Sequence, residues 1–380
     1  MGNMKYIVSA DHIKDKGVIS FAGAEMDFKT APVIISALVN RCENGLFGFT
    51  LPDDKYFESI IWWMKYMRQW VVEREHIVPA YGTIHSVATA IRAFTEVGDG
   101  IIVQPPVYSR YEQAVNRLDR EIAYNPLKNK NGEYEIDFKN LEEVMSKPKN
   151  KLMVICNPHN PVGRVWNDSE LEKIATLAKK YKVLVFSDEI FAEVVFDNNK
   201  TTPYSLIKDA EDNCIVSTAL GKTFNLTGFN NANMVIPSNT IREKFIKQRN
   251  ADHFGSIDPL VHAATCSAYS KEGMNWVEEM LKYLSKNIQY ISVFFEENLP
   301  EVKVIKPEGT FTLWIDWNGM GFSEEKLDKF LTNDAYLELD AGEDYGIEGT
   351  GFRRMNIASP FDEIVHSLAL LKKQLVINHL

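Results

Sequence analysis

Four short apolar runs, Ile101-Ile-Val-Gln104, Leu152-Met-Val-Ile-Cys156, Val183-Leu-Val-Phe186 and Cys214-Ile-Val-Ser217, are threaded between helical stretches in the middle of the chain. Runs that are apolar at nearly every position, rather than at every second one, belong to strands covered on both faces. Their alternation with helices predicts a mostly parallel sheet in an α/β fold. The helical stretches show the matching period: Ile84, Val87, Ala88, Ile91 and Phe94 fall on one helical face, and a second helix is expected from Ser169 to Tyr181. Right-handed crossovers then bring the carboxyl ends of the strands to one edge, the edge along which open α/β sheets bind ligands.

The rhythm changes near Asp258-Pro259. A long helical region to about Asn298 leads into strand-like Val302-Lys-Val-Ile305 and Thr310-Phe-Thr-Leu-Trp-Ile315, the pattern of a smaller α+β domain. Residues 46–258 are therefore expected to form the large domain, and residues 259–380 the connecting helix and small domain. Residues 1–45 stand outside the strand–helix rhythm and are expected to join the small domain. With 380 residues and 45% hydrophobic content, the chain is long enough for such a two-domain core. Its 42 basic and 52 acidic residues leave a formal charge of -10, which disfavours an extended nucleic-acid surface. No stretch approaches the roughly 18 uninterrupted apolar residues of a membrane span. Cysteines at 42, 156, 214 and 266 follow neither metal-ligand nor disulfide-framework spacing, and a cytoplasmic protein is expected. The histidines form no metal set.

Three polar residues follow strand-like runs closely: Asn160 in Asn157-Pro-His-Asn-Pro161, Asp188 in Phe186-Ser-Asp-Glu-Ile190 and Lys222 in Thr218-Ala-Leu-Gly-Lys-Thr-Phe-Asn225. Together they point to a pyridoxal 5'-phosphate site. A lysine holds that cofactor as a Schiff base, and a carboxylate facing the pyridine nitrogen keeps it protonated so that the ring can accept electrons. A lone lysine in a loop is ordinarily a solvated charge, and Asn160 beside two prolines is equally a turn residue. An aspartate at the mouth of an apolar strand is costly without a partner. Gly82 and Thr83 stand before the helix that begins near Ile84, whose free first-turn amides suit a phosphate or an ordinary cap. Tyr108, just after Pro105-Pro106, has a flat face for stacking on a ring, although an aromatic there also suits a core. Arg354 offers a planar fork for a substrate carboxylate. Arg353 competes for that role, and the alternating faces of an extended segment admit only one of the two.

At these residues the chain resembles the fold-type I pyridoxal-phosphate enzymes of the aminotransferase class I and II superfamily, and within them the MalY/PatB-type cystathionine beta-lyase group. The resemblance is carried by Ala24-Glu-Met-Asp-Phe-Lys-Thr30, Phe47-Gly-Phe-Thr50, Gln104-Pro-Pro-Val-Tyr108, Cys156-Asn-Pro-His-Asn-Pro-Val-Gly-Arg164, Ser187-Asp-Glu-Ile190, Lys222-Thr-Phe-Asn225 and Glu308-Gly-Thr310. It implies a large domain built on a seven-stranded sheet. It also implies that Lys222 is the Schiff-base and catalytic residue, Asp188 the partner of the pyridine nitrogen and Asn160 the donor to the phenolic oxygen. Tyr108 would stack on the ring, Gly82, Thr83 and Ile84 would bind the phosphate, and Arg354 would bind the substrate carboxylate. Three positions depart from the group: Phe191 stands where a histidine is usual, Phe49 where a tyrosine is usual, and Gly221 where a serine is usual. Each removes a polar group near the cofactor.

The implied reaction is carbon–sulfur beta-elimination from L-cystathionine or a related cysteine S-conjugate. An aminotransferase is the alternative, because the same lysine and aspartate support a 1,3-proton transfer. A regulatory ligand- or partner-binding protein is a third reading. The resemblance further implies a homodimer with shared active sites, in which the segment around Phe49 reaches the neighbouring subunit's cofactor phosphate.

Overall fold

The computed structural model describes residues 18–377. Its centre is a seven-stranded sheet in the order Ile77–Ala80, Ala232–Val235, Cys214–Thr218, Leu184–Asp188, Asn150–Cys156, Gly100–Val103 and Glu121–Tyr124. Only Ala232–Val235 runs against its neighbours, and the remaining pairs are parallel. This is the mostly parallel sheet expected from the apolar runs. Both faces are covered, and the pleat divides the side chains between them. Leu152, Val154, Phe186 and Ile215 pack with Val87, Ala90 and Ile91 of the helix Thr83–Phe94. Met153, Ile155, Val185 and Val216 belong to the larger core on the other face, with Leu171 and Ile174 of the helix Asp168–Tyr181. That helix begins in a reciprocal cap, in which Asn167 accepts from the Glu170 amide while the Glu170 side chain accepts from that of Asn167.

The smaller unit is a four-stranded antiparallel sheet in the order Lys303–Ile305, Thr312–Asp316, Phe352–Asn356 and Asp340–Ala341. The expected helical region after Pro259 is two helices, Pro259–Ala268 and Lys271–Asn298. The two helices meet closely: a Cβ at Gly273 would lie 1.9 Å from the Ala268 carbonyl oxygen, so the first turn of the second helix carries glycine there, its amide capped by the Ser270 hydroxyl. Buried Asn287 of the longer helix donates to the carbonyls of Ile357 and Ser359 and fixes the helix on the small sheet. Among the described residues, no helix is long and apolar enough to cross a membrane.

Residues 21–28 run as a strap between the two sheets. Strand Ile19–Ser20 pairs in parallel with Leu337–Glu338, and buried Asn356 donates to the Glu25 carbonyl. On the large-domain side, Asn225 sits in the left-handed region (φ 56°), which asparagine tolerates better than most residues. Its Oδ1 accepts from the Met26 amide at 3.0 Å, and its Nδ2 donates to the Met26 and Phe28 carbonyls at 2.8 and 2.9 Å. The asparagine of Lys222-Thr-Phe-Asn225 is thus a clip on the strap. Replacing Asn225 with alanine removes three hydrogen bonds and strains the backbone. We expect a loss of about 2 kcal/mol in unfolding free energy, with faster amide exchange at Met26. Denaturant unfolding and exchange both unchanged in the variant would refute the clip.

Candidate active site

Strand register sets the floor of the site. Cys156 pairs with Asp188, and Asp188 with Ser217, so three neighbouring strands end level with one another. The chain leaves this row through Asn157 to Asn160, through Glu189, and through the short helical turn Leu220–Thr223 that carries Lys222.

Lys222 is partly buried, and its Nζ donates to the Ala24 carbonyl at 2.6 Å. Its pKa is lowered to about 8, by burial first and then by the charge of Arg354, against the opposing pull of Glu25 and Asp188. The Phe191 ring centroid lies 5.7 Å from the same nitrogen. Phe191 is itself buried edge-on against Phe311, so an apolar wall stands where the family resemblance leads one to expect histidine.

Asp188 is 2% exposed. It accepts from the Tyr111 hydroxyl and, at 3.2 Å, from the Ile190 amide. Burial raises its pKa to about 6, against the stabilising effect of these donors and of Lys222. Tyr111 was not singled out from the sequence. The available signal was its place three residues after Tyr108, in the first turn of the helix Arg110–Arg117. The two rings meet edge-to-face at 5.8 Å. Tyr108 remains only partly buried, which leaves ring surface available to a ligand.

The helix Thr83–Phe94 starts from Gly82 at φ 80°, with no side chain capping its first-turn amides. The Thr83 hydroxyl lies 3.0 Å from that of Ser217, a second residue the sequence reading missed. Free amides and two hydroxyls at one point form a donor set suited to a phosphate. Gly221 lies nearby, where an added Cβ would stand 3.3 Å from Thr227 Cα, so the absent serine would have to displace its neighbour slightly.

On the opposite side, Arg354 is 3% exposed and donates through Nη1 to Asn160 Oδ1 at 3.0 Å. The neighbouring Arg353 points the other way and pairs with Glu324 at 2.7 Å. Of the two arginines, only Arg354 meets Asn160. Histidine 159 between the prolines is fully buried, with Nε2 3.0 Å from the Pro106 carbonyl, and burial lowers its pKa to about 4, so it is a neutral packing group. Among the described residues, no cluster of three His, Cys, Asp or Glu side chains is placed to hold a metal ion.

Phe49 lies apart from all of these. Its side chain is fully exposed, as are large parts of Leu46, Phe47 and Leu51. The structure thus brings Gly82, Thr83, Ile84, Tyr108, Asn160, Asp188, Lys222 and Arg354 to one edge, and leaves Phe49 outside it.

The donor set fits pyridoxal phosphate on independent grounds. A buried carboxyl is hydrogen-bonded by a hydroxyl and a backbone amide, an amine has a lowered pKa, and a helix start has no side-chain cap. Comparison with known proteins agrees. Residues 16–369 match the family described as Aminotransferase class I and II. The chain is 35% identical to cystathionine beta-lyase PatB of Bacillus subtilis over 93% of its own length and 91% of that protein's. It is 28% identical to protein MalY of Escherichia coli, covering 95% and 92% of the two chains. The crystal structure of cystalysin from Treponema denticola, which contains pyridoxal 5'-phosphate, superposes with a TM-score of 0.95 at 33% identity over 99% of this chain and 96% of that one. The chain belongs to the class I and II aminotransferase family.

Proposed function

We propose that this protein is a pyridoxal-phosphate-dependent carbon–sulfur beta-lyase acting on L-cystathionine or related cysteine S-conjugates. The observation that carries the reading is Lys222, an amine with a lowered pKa, within electrostatic reach of both the buried carboxyl of Asp188 and the guanidinium of Arg354. The similarity to cystathionine beta-lyase PatB over nearly the whole chain supports the reaction class.

In this reading Lys222 would hold the cofactor, Asp188 would serve its ring nitrogen and Asn160 its phenolic oxygen. Tyr108 would stack on the ring, and Gly82, Thr83 and Ile84 would bind the phosphate. When bound, pyridoxal phosphate supplies an electron sink for the pair left at the substrate Cα. The protein's own residues do the rest. Tyr111 and the Ile190 amide bond the ionised form of Asp188 and so favour its negative charge. Arg354 binds the substrate carboxylate and orients Cα toward Lys222. With its pKa lowered to about 8, the Lys222 amine would be a base matched to near-neutral pH and would take the Cα proton. The Cβ–S bond breaks with both electrons going to sulfur, which leaves as a thiol after protonation. Addition of water to the remaining three-carbon unit gives pyruvate and ammonia.

We further propose a homodimer with shared sites in the cytoplasm. The dimer is supported by the contiguous exposed apolar residues Leu46, Phe47, Phe49 and Leu51, with Ile35 and Val39 exposed on the preceding helix Pro32–Asn44. The location is supported by four unpaired cysteines. Phe49 would then pack against the neighbouring subunit's phosphate pocket.

Incubation of the purified holoenzyme with L-cystathionine, L-cysteine and related thioethers should release pyruvate and a thiol. No pyruvate across the panel, with amino-group transfer to a 2-oxo acid instead, would replace the lyase reading with that of an aminotransferase.

Borohydride reduction should fix the cofactor to Lys222, and Lys222→Ala should remove rapid turnover. In cofactor-free protein, acylation of Lys222 should rise with pH through a midpoint near 8, because only the unprotonated amine reacts. A midpoint at the ordinary lysine value would contradict a desolvated amine.

Phe49→Tyr should slow cofactor loss by adding a hydrogen bond worth about 0.5–1.5 kcal/mol, and Phe49→Ala should weaken both cofactor retention and dimerisation. Solution mass and cofactor-release rates measured together decide this; a fully active monomer would exclude the shared site.

A further inference from the structure

Asp340 lies directly opposite Arg354 across the antiparallel pair Asp340–Ala341 and Phe352–Asn356. Opposite charges in that register attract, but the contact here is more specific than a cross-strand pair. Arg354 Nε and Nη2 both donate to Asp340 Oδ2, at 2.9 and 2.6 Å. Nη1 donates to Asn160, and the Tyr345 ring lies 4.8 Å from the guanidinium carbon. A guanidinium has five N–H groups. Three are engaged, which leaves two, one on each terminal nitrogen. That is the complement the two oxygens of a carboxylate need for a bidentate contact.

Asp340 has a further partner. The Gly23 amide of the strap donates to its two oxygens at 3.1 and 3.0 Å. The next residue, Ala24, accepts from Lys222 Nζ. Consecutive strap residues therefore touch the arginine through Asp340 and the lysine directly.

We propose that Asp340 is a positioning residue for recognition of the substrate carboxylate: it holds the Nε/Nη2 side of Arg354, reserves the terminal edge for the ligand, and ties the strap to the arginine. This rests on the assignment of Arg354 as the carboxylate-binding residue, and the experiment separates the two. Binding of L-alanine to the holoenzyme is compared with that of ethylamine, the same amine without its carboxylate, through the change in the cofactor's visible band. Amide exchange of residues 21–28 is followed in cofactor-free protein.

Asp340→Ala should weaken L-alanine by about tenfold or more while shifting ethylamine by less than about twofold, the scale of one lost charge-assisted hydrogen bond. It should also speed exchange in the strap. Asp340→Asn keeps an acceptor in place and should retain most of the preference for L-alanine. Asp340→Glu keeps the charge but moves the acceptor by one methylene, and should lose that preference nearly as alanine does. If Asp340→Ala does not fold, the asparagine and glutamate variants carry the test between them. Equal weakening of both ligands, or a full L-alanine preference in Asp340→Glu, overturns the proposal. Arg354→Lys is the separate arm: if it leaves the preference intact, the assignment of Arg354 fails. If it abolishes the preference while the Asp340 variants do not, only the role of Asp340 fails.

Discussion

The row formed by Cys156, Asp188 and Ser217 is the constraint on which the site depends. Side chains alternate across a strand, so a slip of one residue in any of these pairings would send Asp188 to the opposite face and its neighbours with it. The register is held by both cores at once. Leu152 and Val154 are fixed by the helix on one side, and Met153 and Ile155 by the larger core on the other, so a slipped strand would expose apolar surface to the wrong neighbours on both faces. Placement of the chemical groups is therefore a by-product of core packing, and it requires no direct contact among the residues placed.

That separation lets the site hold charges under electrostatic tension. The Asp188 carboxyl is buried with neutral donors as its hydrogen-bonding partners, and Lys222 is an amine with a reduced affinity for protons. Both are conditions a folded core ordinarily avoids. They persist because the strands beneath are packed between two cores and hold both groups in place. Arg354 is treated differently. It has a resident carboxylate in Asp340, so its charge is met within the fold.

Legibility in the sequence followed chain distance. Asn160, Asp188 and Lys222 each come within a few residues of an apolar run, so the ends of the runs marked them as candidates, and the structure sets them at or beyond those strand ends. The helix start at Gly82-Thr83 was readable from the helical spacing that follows it. Partners brought in from far along the chain were not: Gly23 and Asp340 are 317 residues apart, and Ala24 and Lys222 are 198 apart. Strand alternation reduced the choice at 353 and 354 to one residue, but the decision lay with what each face met, Glu324 on one side and Asn160 on the other. The division of the long helix at Ser270 was hidden because Gly273 marks a close approach rather than a flexible turn.

The strap also bears on how the protein comes into being. Its anchors are Asn225, Asp340 and Asn356, all of which leave the ribosome long after residues 21–28. At about 5–20 residues per second, the early segment waits on the order of tens of seconds before its last partner exists. During synthesis the large sheet can assemble from consecutive strands and crossovers, yet the wall that joins Lys222 to Arg354 stays open until residue 356 has emerged. Nascent chains are thus barred from presenting a finished pocket, and loading with cofactor and substrate becomes a property of the completed polypeptide.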